Sequence, residues 1–256
     1  MAGLINALDI KKKELDKIKI VVLGAGAAGI ATLKLMIAGG AKRENCIICD
    51  SRGVIYKGRK DGMNPYKEEL ASDTPHRTFE EAAVGADCIF GMSKPGLFTE
   101  DILKSLAKDP IIFAMANPEP ECRPDMAKRV RPDCIIATGR SDFPNQVNNV
   151  LCFPFLFRAA LDTRSTEIND EMKMAAAVSL AELARRPATL TVRKAYLGRE
   201  FSYGPDYIIP TPFDYRLMDT VPIAVAKAAM ESGVATKQIT DWDNYRESLC
   251  HRLFYQ

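Results

Sequence analysis

Two histidines, His76 and His251, are all that this 256-residue chain carries. A metal centre built on imidazole, or a Ser-His-Asp triad, is therefore poorly supplied. Charge of one sign is lacking too: 35 Lys and Arg face 33 Asp and Glu, for a formal net charge of +2. Such a balance gives no reason to propose nucleic acid or a membrane surface as partner. No apolar run approaches the ~20 residues of a membrane span, and the N-terminus lacks the uninterrupted apolar stretch of a secretory signal. A cytoplasmic location is expected. Internal repeats, low-complexity tracts and flexible linkers are absent as well.

Cysteine is present in an odd number, seven. Cys46, Cys49, Cys88 and Cys134 lie within short apolar runs, where a thiol behaves as a small hydrophobe. Cys46-x-x-Cys49 has the spacing of a redox pair or of half a zinc site. No second CxxC and no nearby histidine completes a cluster, so the bland reading is preferred.

What the chain does have is a series of short apolar runs separated by helical segments. "KIVVLGAGAAG"-like punctuation appears once, in "KIKIVVLGAGAAGIATLKLMIAGGA": an apolar run, a glycine turn, and a helical stretch ending at Gly39-Gly40. "NCIICD", "GADCIFGMSKPGLFT", "DPIIFAMANPEPE" and "RPDCIIATGRSD" supply four more strands. Short continuous apolar strands alternating with helices mark a parallel sheet covered on both faces. A helix is expected over 4–17, and later helices over 170–185 and 222–233; "FSYGPDYIIPTPFDYR" between the last two reads as an ordered connection. The expected fold is α/β, a doubly wound parallel sheet of Rossmann type with a C-terminal helical tail. The expected organisation is one domain: a leading helix over 1–18, a core over 19–160 and a helical part over 161–256.

Gly24-Ala25-Gly26-Ala27-Ala28-Gly29 matches GxGxxG between a strand and a helix. Its glycines have distinct tasks: a tight turn, backbone access to a pyrophosphate, and close helix–strand packing. The following helix directs free N–H groups at an anion. Asp50 ends the next strand, 21 residues after Gly29, where it can accept from adenosine ribose hydroxyls. This context favours a nicotinamide dinucleotide over FAD or S-adenosylmethionine. NAD and NADP both stay open, with a slight preference for NAD. Asp50 would repel a 2′-phosphate, whereas Arg52, Lys57, Arg59 and Lys60 either neutralise one or form a solvated basic loop.

Asn117 stands at the end of the fourth strand, and Asn148 and Asn149 follow the fifth. An amide donates to a carboxylate and accepts from a hydroxyl without titrating, so it suits a polar ligand whose protons are handled elsewhere. The plainer alternative is that these residues close turns. Two such segments at adjacent strand ends, after a dinucleotide loop, favour a role in binding.

Together, "VVLGAGAAGIA", "ICDSRGVIYKGR", "MANPEPE", "ATGRSDFPNQVNNVLCFPFLFRAALD" and "DYIIPTPFD" resemble the NAD(P)-binding domain of malic enzymes, particularly the short bacterial and archaeal type, from about Ala2 to about Val234. The resemblance implies oxidation of L-malate at C2 by hydride transfer to NAD or NADP, then decarboxylation to pyruvate with Mg or Mn. It implies that Gly24, Ala25, Gly26, Ala27, Ala28 and Gly29 cradle the pyrophosphate and that Asp50 takes the ribose. Ser93 in "GMSKPG" is implied as a cofactor contact, and Asn117, Asn148 and Asn149 as contacts to substrate or to the nicotinamide half. A homodimer is implied for the complete enzyme.

In that family the catalytic Tyr and Lys and the metal-binding acids lie upstream of the segment matching Ala2, and their motifs do not occur here. No catalytic or metal-ligating residue is assigned. Glu119, Glu121 and Lys94 are the nearest candidates for a base, but a proline between the two glutamates suits a rigid turn. The expectation is a cofactor-binding domain without its catalytic N-terminal domain, which binds NAD(P) and does not turn over malate alone. Two rivals stay open: the cofactor domain of another NAD(P)-dependent dehydrogenase, and a non-catalytic dinucleotide-sensing module.

Overall fold

A computed structural model describes residues 1–254. Its strands are β1 (Ile20–Leu23), β2 (Cys46–Asp50), β3 (Gly53–Val54), β4 (Cys88–Gly91), β5 (Ile111–Ala114) and β6 (Ile135–Thr138). Its helices are α1 (Ala2–Lys11), α2 (Ala27–Ala38), α3 (Pro65–Glu69), α4 (Phe79–Ala83), α5 (Glu100–Ser105), α6 (Pro124–Val130), α7 (Phe155–Asp162), α8 (Asp170–Arg185), α9 (Leu190–Ala195), α10 (Leu217–Glu231) and α11 (Trp242–Phe254). No described helix is long and apolar enough to cross a membrane. The chain divides into two units: Ala7–Val147, and Met1–Asn6 together with the residues from Asn148 onward.

In the first unit the strands line up as β3-β2-β1-β4-β5-β6. β2, β1, β4, β5 and β6 are parallel, and β3 adds an antiparallel edge. This is the Rossmann-type sheet expected from the sequence, with a two-residue edge strand that the apolar pattern does not reveal. Every residue of β1, β4, β5 and β6 is buried, which explains continuous apolar runs rather than alternation. Val21, Leu23, Ile47, Ile89, Ile112 and Ile136 pack with Phe79 of α4, Ile102 and Leu103 of α5 and Ala127 of α6. Phe90 and Phe113, register partners on β4 and β5, stack with ring centroids 4.4 Å apart.

The order reverses between the parallel neighbours β1 and β4: from β1 the chain steps outward to β2 on one side, and from β4 to β5 on the other. Crevices beyond the carboxyl ends of strands form at such a switch point. The loops leaving β1 and β4 therefore border the place where a ligand is expected.

In the second unit, α10 packs on α7, α8 and α11. The connection before α10 is ordered: Tyr207, Ile208, Ile209 and Asp214 are buried. Asn6, wholly buried, donates to the carbonyls of Ala181 and Ile208, each at 2.9 Å, and accepts from Arg185 Nε at 2.8 Å. α8 has the bounds expected. α10 starts five residues earlier than its apolar pattern suggests, with Pro222 inside the helix. α1 ends at Lys11 rather than continuing to residue 17, because Lys12 turns left-handed at φ 53° and closes the helix end.

Candidate functional site

The turn after β1 is anchored to the end of β2. Gly24 N–H donates to the Cys49 carbonyl at 2.8 Å, and Asp50 is the next residue. Gly24 has φ +123°, and a Cβ placed on it would lie 2.5 Å from the Met92 carbonyl oxygen, just beyond β4. A Cβ on Gly29 would lie 1.8 Å from the Gly24 carbonyl oxygen. A Cβ on Gly26 would meet nothing within 4 Å. The first and last glycines thus let backbone pack on backbone, while the middle one faces open space.

α2 begins at this opening. Gly26 is its N-cap, in extended backbone, and no side chain caps it. Gly26, Ala27 and Ala28 are exposed, whereas Gly29 is buried against the turn. N–H groups of an uncapped first turn, the dipole of a 12-residue helix and the bare Gly26 make a cradle suited to a diphosphate. Ala25, Ala27 and Ala28 add only methyl groups, which leave the backbone accessible.

Asp50 is not a free carboxylate. Its Oδ1 accepts from Arg52 N–H at 2.9 Å and from Arg59 Nη2 at 2.8 Å. Its Oδ2 accepts from Arg59 Nη2 at 2.9 Å and from Lys67 Nζ at 2.7 Å. Burial pushes its carboxyl up; hydrogen bonds from Lys67, Arg52 N–H and Arg59 outweigh this and hold it below its ordinary value. The two cations leave the cluster net positive. Of the basic residues considered from sequence, only Arg59 is buried, and it also donates to the Val54 carbonyl at 3.0 Å. Arg52 pairs with Asp61 and Lys57 lies 3.6 Å from Asp73. The solvated-loop reading therefore fits Arg52 and Lys57, but not Arg59.

Lys67 escaped the sequence reading. Asn64 caps α3 by accepting from Lys67 N–H, with Pro65 opening the helix. That Asn-Pro pair is the signal that places Lys67 on a helix, but nothing local says that the helix faces Asp50.

Ser93, Lys94 and Asn117 are exposed on the loops that leave β4 and β5. Glu119 is exposed and pairs with Arg140, whereas Glu121 is completely buried. Neither is placed as a free base. Gly24–Gly29, Asp50, Ser93 and Asn117 all lie in the Ala7–Val147 unit, and Asn148 and Asn149 belong to the other. Asn148 Oδ1 accepts from Val150 N–H at 3.1 Å and caps the 3-10 turn Asn149–Leu151; Asn149 is exposed. The neighbouring Asn145 is buried and donates to the Ile136 carbonyl at 3.0 Å, so one of the amides in "NQVNN" is structural.

Residues 1–193 match the family model described as malic enzyme, NAD binding domain. The chain belongs to this family. An NADP-dependent malic enzyme of Rhizobium meliloti is 53% identical over 98% of this chain, and an NAD-dependent malic enzyme of the same organism is 47% identical over 99%. The chain spans about a third of the length of these relatives, 33% of each. The crystal structure of Entamoeba histolytica malic enzyme superimposes with TM-score 0.84 at 33% identity, over 98% of this chain and 50% of that one. The chain is thus an NAD(P)-binding domain of malic enzyme type, and the glycine cradle at the switch point is the part of it that fits a dinucleotide. Among the described residues, no three His, Cys, Asp or Glu side chains group to hold a metal ion. The described donor set does not fit a divalent metal.

The thiols are settled by the strand they occupy. Cys46 and Cys49 are three apart on β2, so they point to opposite faces, and both are buried. They are core residues, not a redox pair.

Proposed function

We propose that this chain holds NADP+ for a malic enzyme, which oxidises L-malate at C2 and releases CO2 to give pyruvate. The observation that carries the cofactor half is the open space over Gly26, bounded by two glycines that cannot accept a side chain. A nicotinamide dinucleotide held there would supply the acceptor for the C2 hydride of malate. The chain's own residues bind and orient. The first turn of α2 would hold the diphosphate, and the loops carrying Ser93 and Asn117 would hold the nicotinamide half. The exposed amide of Asn117 is proposed to orient a substrate carboxylate, since it donates hydrogen bonds without titrating. A cytoplasmic setting and a homodimeric complete enzyme belong to the same proposal.

The preference for NADP+ rests on the surroundings of Asp50. A carboxylate alone at this position would repel a 2′-phosphate. Here Arg59 and Lys67 reverse the local sign, and Lys67 is 15% exposed, on the rim rather than sealed in. Titrating the chain with NADP+ and NAD+ tests this. NADP+ should bind about tenfold more tightly, a difference of about 1.4 kcal/mol, and Lys67→Gln should abolish the difference. Tighter binding of NAD+ overturns the phosphate preference, and binding of neither overturns the site.

A further inference from the structure

Glu121 has no solvent exposure and stands directly beneath the loops that carry Ser93 and Asn117. Its Oε1 accepts from Ser93 N–H at 2.9 Å and its Oε2 from Ala116 N–H at 2.9 Å. One carboxylate therefore ties the loop leaving β4 to the loop leaving β5. Two backbone bonds reinforce the tie: Gly96 N–H to the Pro120 carbonyl at 3.4 Å, and Phe98 N–H to the Glu121 carbonyl at 3.1 Å. The last residue of β4 makes room for the side chain. A Cβ on Gly91 would lie 2.2 Å from Glu121 Cδ and 2.5 Å from its Oε1.

Burying a carboxylate is costly unless its oxygens are satisfied. A hydrophobic side chain would fill the same space without that cost, but it could not accept from two N–H groups that face the inside of two different loops. What the carboxylate supplies is a fixed geometry: Ser93 and Ala116, the residue just before Asn117, are held through the same group. We propose that Glu121 is a positioning residue. It sets the backbone of Ser93 and Asn117 for the nicotinamide half of the dinucleotide, without touching it. This rests on the dinucleotide reading above and assigns a role that exposure and sequence position do not suggest.

The prediction is a split between the two halves of the ligand. Adenosine 2′,5′-bisphosphate occupies the adenosine half only; NADP+ occupies both. In the 256-residue chain, Glu121→Gln keeps the volume and one acceptor oxygen. It should weaken NADP+ binding about tenfold while leaving the bisphosphate within about twofold. Amide-proton resonances of Ser93 and Ala116 should shift in the same variant, since each loses or changes its acceptor. Gly91→Ala, which displaces the carboxylate while keeping it, should reproduce the split. Unchanged NADP+ binding in both variants overturns the proposal, and so does equal weakening of both ligands, which is what a merely structural role produces. If the wild-type chain binds neither ligand, the dinucleotide reading itself fails and the positioning role falls with it; that outcome is visible before any variant is made.

Discussion

The Arg59 guanidinium reaches both carboxylate oxygens of Asp50 through a single nitrogen, at 2.8 and 2.9 Å. The two side chains are 5% and 11% exposed, so this pair sits mostly out of water at the edge of the sheet. Charge pairs of this kind are held by what happens when one partner is lost. Arg59→Met keeps most of the aliphatic stem but leaves Asp50 with Lys67 as its remaining cation. The expected loss is about 3 kcal/mol of folding stability, read from denaturant midpoints. A loss below about 1 kcal/mol would show that the pair behaves as a surface ion pair.

The glycines of the turn separate into two classes. A methyl on Gly29 meets the Gly24 carbonyl oxygen, a backbone atom that cannot move aside without opening the turn. Gly29→Ala should therefore destabilise the chain by about 2 kcal/mol. A methyl on Gly26 meets no protein atom. Gly26→Ala should change stability by less than about 0.5 kcal/mol, yet weaken dinucleotide binding by about tenfold or more. Thermal unfolding should therefore separate the two variants, whereas cofactor titration should show weakened binding for Gly26→Ala without a matching loss of stability.

Acid should weaken the fold through Asp133. Hydrogen bonds from Arg131 dominate its surroundings and, against burial, hold its carboxyl down at about 2; the Asp109 N–H adds a further bond at 2.8 Å. The folded value lies below the ordinary one of about 3.9. Its contribution is thus fully present above pH ~4 and is lost as the pH falls towards ~2. Wild type and Asp133→Asn should differ in denaturant midpoint at neutral pH, and the gap should close across that acid window. Asp50, also held low, acts in the same direction.

Thiol chemistry should follow burial. Burial pushes Cys46 up to about 11 and Cys49 and Cys122 up to about 12, and raises Cys88 and Cys134 as well. At pH 8 these five should resist a thiol reagent in the native chain, since the thiolate is the reactive form. All seven should react in denaturant. Rapid native labelling of Cys46 or Cys49 would reopen the redox reading of CxxC.

The parallel strands were legible because each is buried on both faces and so leaves an unbroken apolar run. β3 was not, since two residues, Gly53 and Val54, carry no period. α11 was also missed: its sequence is mostly polar, and the buried residues among its described side chains, Tyr245 and Leu249, form too sparse a stripe to stand out. Pro222 looked like a helix start because proline lacks an N–H and suits a first turn. Leu217 and Val221, both buried, carry α10 past it instead.

By itself the sequence determined the strand–glycine–helix unit, the acid that follows it and the likeness to malic enzymes, because those signals are local and depend on residues a few positions apart. It could not decide what Asp50 and Glu121 touch. Lys67 reaches Asp50 from 17 residues away, and Glu121 meets Ser93 from 28 residues away. Only the folded sheet, by bringing the ends of separate strands side by side, turns one acid into the centre of a net positive cluster and hides the other beneath two loops.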